Sequence, residues 1–175
     1  MKFQKNEASA FELLNNELKK NTKNIAIYFK IGNMYQQLKD YKQAETQYNA
    51  VLAEDKDNVL ALNNLAWMYY QQDKPEALNF ARRAYKKAPD SAYVADTYGT
   101  ILIKQGDKEE GLSIIQKAAI EKPESNAIQF HLALAYIANG NNEQAIETLQ
   151  RIEQSKLFFS EKQLAIELLK KLKNN

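Results

Sequence analysis

The sequence predicts an all-α protein, a solenoid built from repeated helix pairs. Three observations predict it. Ala66, at the centre of the run NNLAWMYY (Asn63 to Tyr70), has counterparts in Gly32, Gly99 and Ala133, at successive intervals of 34, 33 and 34 residues. A period of that size marks a stacked-repeat architecture. Apolar and small residues recur around each of these positions at helical spacing, as in Tyr28, Ile31, Gly32 and Tyr35. After each comes a residue of the type that caps helix N-termini, Asp40, Asp73, Asp107 or Asn141.

The elements follow in order. Ser9 to Glu12 reads S-x-x-E, a capping-box pattern, and Phe11, Leu14 and Leu18 continue at helical spacing, so a leading helix is expected over residues 8–20. Asn21 to Asn24 is a polar turn. The first repeat, residues 25–58, has Tyr28, Ile31, Gly32 and Tyr35 on its first helix and Ala44, Tyr48 and Val51 on its second. The second, residues 59–91, has Leu62, Leu65, Ala66 and Tyr69, then Ala77, Ala81 and Ala84, with Pro75 tolerated in a first helical turn. The interval from Ala66 to Asp73 is one shorter than elsewhere, which puts a deletion in the turn after Tyr70. The third repeat, residues 92–125, has Ala95, Tyr98, Gly99 and Leu102, then Gly111, Ile115 and Ala118. The fourth, residues 126–157, has Gln129, Leu132, Ala133 and Tyr136, then Ala145, Leu149 and Ile152. Ser160 to Gln163 reads as another capping box, opening an apolar helix over 160–173 that covers the exposed end of the last repeat. All of this is one domain, residues 1–175.

Composition narrows the chemistry. With 24 basic and 22 acidic residues the net charge is +2, too balanced to point to nucleic acid. There is no cysteine, which excludes disulfides, a thiol nucleophile and cysteine-ligated zinc. No apolar run approaches the roughly 18 residues of a membrane helix, and the polar start lacks the apolar stretch of a signal peptide. Phosphate loops and the G-x-S-x-G and H-E-x-x-H motifs are absent, and Glu109–Glu110 and Glu121–Glu124 read as solvated helix faces. His131 is the only histidine, so it reads as a hydrogen-bonded groove or inter-repeat residue and not as a metal ligand. No enzyme activity, metal or cofactor is expected.

The repeating pattern is a large residue, leucine, a small residue and tyrosine, followed by alanine, an aromatic or aliphatic residue, alanine and proline. It resembles the tetratricopeptide repeat (TPR) over about residues 25–157. Small residues stand where the two helices of a pair approach closely, because a large side chain there would overpack the contact by roughly 1–3 kcal/mol. The chain departs from the pattern at Ala95 and Gln129, where a large residue is usual, and at Lys56 and Leu157, where proline is usual. The resemblance implies a right-handed superhelix of antiparallel helix pairs, first helices on the concave face. The groove would then be lined by Phe29, Lys30, Asn33 and Gln36; Asn63, Asn64, Trp67 and Tyr70; Tyr93, Asp96, Thr97 and Thr100; and Phe130, His131 and Leu134. Trp67 either faces that groove or packs between repeats, and Asn63 and Asn64 either contact a ligand or bridge helices. Asparagine both donates and accepts, which suits an extended peptide backbone. Asn33 and Asn64 match the asparagine pair of chaperone-binding TPR domains. The basic positions of that carboxylate clamp are Phe29, Tyr93 and Thr97 here, so the resemblance does not carry over the clamp.

The stretches NNLAWMYY, DKPEALNFARRAYKKAPDS, VADTYGTILIKQGDKEEGL and FHLALAYIANG, with the closing SEKQLAIELLKKL, also resemble the C-terminal repeats of exported bacterial TPR lipoproteins of the PEP-CTERM/exosortase system. That resemblance implies a piece of a longer periplasmic protein at exopolysaccharide loci, while a complete chain would be cytoplasmic. The expected role is a scaffold that grips a peptide or a partner helix in its groove. Two other readings stay open: direct polysaccharide binding through aromatics and amides, and a structural unit that associates with a second copy of itself.

Overall fold

The structure, a computed structural model, describes residues 5–174. Among them are ten α-helices and no strand, so the fold class is all-α, built of helix pairs. The chain divides into two compact units, residues 1–87 and 88–175. The first holds α1 (Lys5–Lys20), α2 (Ile25–Gln37), α3 (Tyr41–Glu54), α4 (Val59–Gln71) and α5 (Ala77–Lys87). The second holds α6 (Ala92–Gln105), α7 (Lys108–Glu121), α8 (Asn126–Ala138), α9 (Asn142–Gln154) and α10 (Lys162–Lys173).

In the first unit α2 pairs with α3 and α4 with α5. Ile31, Tyr48, Leu62, Leu65 and Met68 are the large side chains sealed between them, each contributing about 1.5–3 kcal/mol by leaving water. α1 docks on α2 through Phe11, edge-on to Tyr35 at 5.1 Å. In the second unit α6 pairs with α7 and α8 with α9. Its far end is closed by a cluster of Phe130, Leu149, Ile152, Phe159, Ala165 and Leu169, so α10 and the segment before it supply the cover that the last pair lacks.

Small residues stand at close helix approaches. A Cβ on Gly99 would lie 2.9 Å from the carbonyl oxygen of Gly111, and one on Gly111 would lie 2.7 Å from that of Gly99, so α6 and α7 meet backbone to backbone. A Cβ on Gly32 would meet the Tyr48 ring at 2.7 Å.

The turns depart from the expected register. Each first helix ends on a residue with positive φ: Lys39 (58°), Asp73 (56°), Gly106 (104°) and Gly140 (78°). The following amide bonds back to the helix in every case: Asp40 to Tyr35, Lys74 to Tyr69, Asp107 to Leu102 and Asn141 to Tyr136. Lys74, not Asp73, therefore occupies the place of Asp40, and the turn after Tyr70 is full length. The missing residue lies one step later. The amides of Ala44, Gly111 and Ala145 bond four residues back, whereas that of Ala77 bonds only three back, to Lys74. The deletion is taken up in the first turn of the second helix, at Pro75 and Glu76, and α5 is correspondingly short, at 11 residues.

Capping is likewise redistributed. Asp40 caps α3 through its side chain, which accepts from the amide of Gln43, but Asp107 and Asn141 make no such bond. The first helices carry the other side-chain caps: Asn24, Asn58 and Ser125 accept from Ile27, Ala61 and Ile128. Neither expected capping box forms. α1 runs through Ser9 and Glu12, because nothing in Asn6–Ala8 stops it. α10 starts at Lys162, two residues late, with the Ser160 hydroxyl donating to the Glu161 carboxylate instead of capping.

Candidate functional site

The first unit carries a polar cleft of about 330 Å³ between its first helices, lined by Asn33, Gln36, Gln37, Lys39, Tyr41, Asn64 and Gln71. Five of the seven are amides and none is acidic. Its wall is organised by Tyr48, whose ring is buried in the core and whose hydroxyl emerges beneath the cleft. That hydroxyl faces Asn33 Oδ1 at 2.7 Å and Gln36 Oε1 at 2.6 Å and donates its one proton to either. Asn64 Nδ2 donates to Asn33 Oδ1 at 2.9 Å and to the Tyr48 oxygen at 3.2 Å. Burial pushes the Tyr48 phenol up to about 12, the Asn64 bond pulling the other way. It is therefore a neutral hydroxyl throughout the physiological range.

This network sorts the amide atoms. Asn33 has its oxygen engaged, so what it has left is the NH₂ donor. Asn64 has its nitrogen engaged twice, so what it has left is the carbonyl acceptor. The pair presents one donor and one acceptor side by side, the complement of a peptide group. At the rim, the Tyr41 hydroxyl donates to Gln71 Oε1 at 3.5 Å and ties α3 to α4.

The other expected site residues of this unit lie on the same helices. Phe29 tilts against Tyr48 at 5.9 Å and is half-buried. Trp67 stacks on Tyr70, ring centres 5.1 Å apart, both half-buried. Asn63 turns its side-chain oxygen into the interior, where it accepts no hydrogen bond.

In the second unit the expected site residues mostly leave the surface. Tyr93 is 60 % exposed, but Asp96, Thr97 and Thr100 are buried and Phe130 is only 3 % exposed. Two of these residues, Phe130 and Asp96, are covered from other elements. Phe159 lies over Phe130, 6.1 Å between ring centres, and draws it into the terminal cluster. The Thr97 hydroxyl donates to the Tyr93 carbonyl of its own helix. Thr100 Oγ1 is buried without a hydrogen-bond partner. Asp96 is occupied by His131, whose Nδ1 lies 2.9 and 2.8 Å from the two carboxylate oxygens. Burial alone would lower the imidazole, and the Asp96 bond and charge, aided by Glu161, outweigh it, so His131 is held above its ordinary value. It is a bridge between α6 and α8. Among the described residues no cluster of three or more histidines and carboxylates could hold a metal, and no helix is long and apolar enough to cross a membrane.

The motif reading missed Gln37, Lys39, Tyr41 and Gln71. Their signal was periodicity: Gln37 follows Asn33 by four residues and Gln71 follows Asn64 by seven, on one helix face. It assigned Tyr48 to the core, yet a tyrosine at a fully buried point must still bond its hydroxyl.

Two family models, both described as tetratricopeptide repeat, match the chain, one over residues 29–92 and the other over 102–157. No curated protein matches it. Several solved structures share the fold. YrrB, a TPR protein with an unusual peptide-binding site, is 20 % identical, with a TM-score of 0.68 over 94 % of this chain and 84 % of its own. PilW, a type IV pilus biogenesis factor, is 18 % identical, with a TM-score of 0.81 over 97 % of this chain and 79 % of its own. A thermophilic TPR protein of Thermus thermophilus is 16 % identical, with a TM-score of 0.74 over 97 % and 91 %.

Proposed function

The chain belongs to the tetratricopeptide repeat family, and on that premise we propose that it is a non-catalytic scaffold whose first unit binds an extended peptide of a partner protein. The observation that carries this reading is the sorted amide pair. Asn33 and Asn64 are held by Tyr48 with one donor and one acceptor left over, and a peptide group offers the matching acceptor and donor. Further amides from Gln36, Gln37 and Gln71 extend the same chemistry along the cleft. The similarity to YrrB, itself a peptide-binding TPR protein, agrees with it.

Of the residues expected from sequence, this reading keeps Asn33 and Asn64 in the cleft, with Phe29, Trp67 and Tyr70 beside it on the same helices, and drops Asn63, whose oxygen is turned inward. A finer reading, a place in a bacterial exopolysaccharide or protein-sorting apparatus, rests on the sequence resemblance alone, and neither the family models nor the solved structures add to it. A second reading, polysaccharide recognition, is favoured by the Trp67–Tyr70 stack, which has the flat apolar face a sugar ring needs.

The test uses the protein as bait in a lysate and membrane extract of its source, beside an Asn64→Ala/Gln71→Ala variant of unchanged helicity. A partner kept by the original and lost by the variant supports the cleft, and the partner's identity decides the pathway. A partner retained equally by both sinks it. Saturable binding of polysaccharide fragments that disappears in Trp67→Ala would favour the second reading.

A further inference from the structure

The second unit carries a separate trough of about 620 Å³ formed by α7, α8 and α9. On α8, Gln129, Leu132 and Tyr136 are spaced three and four apart and so share one helix face, roughly opposite that of His131 and Leu134. Ala119 and Leu132 form an apolar floor, both buried. Ile120 stands on the rim with 76 % of its surface exposed, a large cost for an aliphatic side chain with no partner. The walls are pinned: Gln116 Nε2 donates to the Tyr136 hydroxyl at 3.3 Å, and Gln129 Nε2 to the Ala119 carbonyl at 3.1 Å.

The charges that line the trough have one sign. Lys117 and Arg151 line it and no carboxylate does. Both are exposed and neither makes an ion pair among the described residues, Arg151 contacting only the Thr148 hydroxyl at 3.5 Å. Past Pro123 and Gln129 the trough continues into a smaller hollow bordered by Leu157, which Arg151 also lines and whose one acid, Glu124, lies 3.9 Å from Lys122.

We infer that this trough is a second docking surface, for a peptide segment whose aliphatic side chain seats on Ile120 and Leu132 while flanking carboxylates reach Lys117 and Arg151. An apolar floor between two unpaired cations is complementary to that occupant. A nucleic acid would need a longer basic track, and a basic or neutral peptide would leave both cations unanswered. The surface uses no residue of the polar cleft, so the two sites fail independently.

The test is fluorescence anisotropy of a fluorescein-labelled peptide of alternating leucine and glutamate pairs, beside the same peptide with glutamine for glutamate. The acidic peptide is expected to bind saturably, and the glutamine peptide about tenfold or more weaker, from the loss of charge-assisted bonds. Lys117→Glu/Arg151→Glu and, separately, Ile120→Asp are expected to abolish binding with an unchanged circular dichroism spectrum, since all three side chains are exposed. Asn64→Ala is expected to leave it unchanged. Equal binding of the two peptides, absence of binding, or binding that survives the trough variants would overturn the inference. Loss in Asn64→Ala alone would move the peptide to the first unit's cleft and overturn it as well.

Discussion

Replacing Gly111 by alanine adds one methyl group at the closest approach of α6 and α7. The new carbon would sit 2.7 Å from the carbonyl oxygen of Gly99 and 2.6 Å from Ile103 Cγ1. Comfortable contacts need about 3.5 Å or more, so the shortfall is close to an ångström on both sides. The Ile103 contact can relax by side-chain rotation. The carbonyl cannot, because it belongs to the middle of α6, so relief requires the two helices to separate. Around them Ile101, Leu102 and Ile115 are sealed in the core and would lose contact. Overpacking of this kind costs about 1–3 kcal/mol, against which alanine recovers about 1 kcal/mol of helix propensity. A net loss of up to about 2 kcal/mol is expected, lowering Tm by up to roughly 6 °C for a chain of this length. Thermal denaturation followed at the helical ellipticity measures it. The background variant Ile103→Ala, which removes Cγ1, separates the two contacts: if the backbone approach is the constraint, Gly111→Ala costs about as much there as in the original chain. A Tm for Gly111→Ala at or above that of the original chain, or no loss on adding Gly111→Ala to Ile103→Ala, would refute the reasoning.

Three other changes follow from the same geometry. Lys39→Gly relieves a side chain held at φ 58° and should raise stability by about 0.5–1 kcal/mol, readable as a higher denaturation midpoint; a lower midpoint would count against the strain. Tyr48→Phe keeps the ring but strips Asn33, Gln36 and Asn64 of a shared partner, so a loss of about 1–3 kcal/mol is expected by urea denaturation, with a gain or no change as the contrary result. His131 has a raised value in the folded chain. Its attraction to Asp96 is thus fully present below the unfolded value of about 6.5 and lost as pH rises through the folded one. Tm should fall over that rise and the slope should flatten in Asp96→Asn; a flat or rising profile in the original chain would contradict the bridge.

What the sequence determined by itself is the repeat. The spacing of Gly32, Ala66, Gly99 and Ala133 is a local property of the chain, because a small residue is demanded wherever two helix backbones touch, whatever surrounds the pair. The helices and the sealed positions such as Tyr48 and Ile115 followed from the same periodicity. The tertiary structure decided everything that depends on a partner far along the chain. Asp73 and Asp40 have the same chemistry, yet they stand at different places in the turn: Asp73 takes the positive-φ position that Lys39 holds, because the missing residue is absorbed later, beside Pro75, where a three-residue bond replaces a four-residue one. Phe130 and Asp96 read as groove residues, and they are buried because Phe159 and His131 come over them from other elements. Asn33 and Asn64 are both bifunctional in sequence. Which atom each keeps for a ligand is settled only when Tyr48, 15 and 16 residues away, occupies the others. A hydrogen-bonding group's free valence is what its neighbours leave over, and neighbours are assigned by the fold.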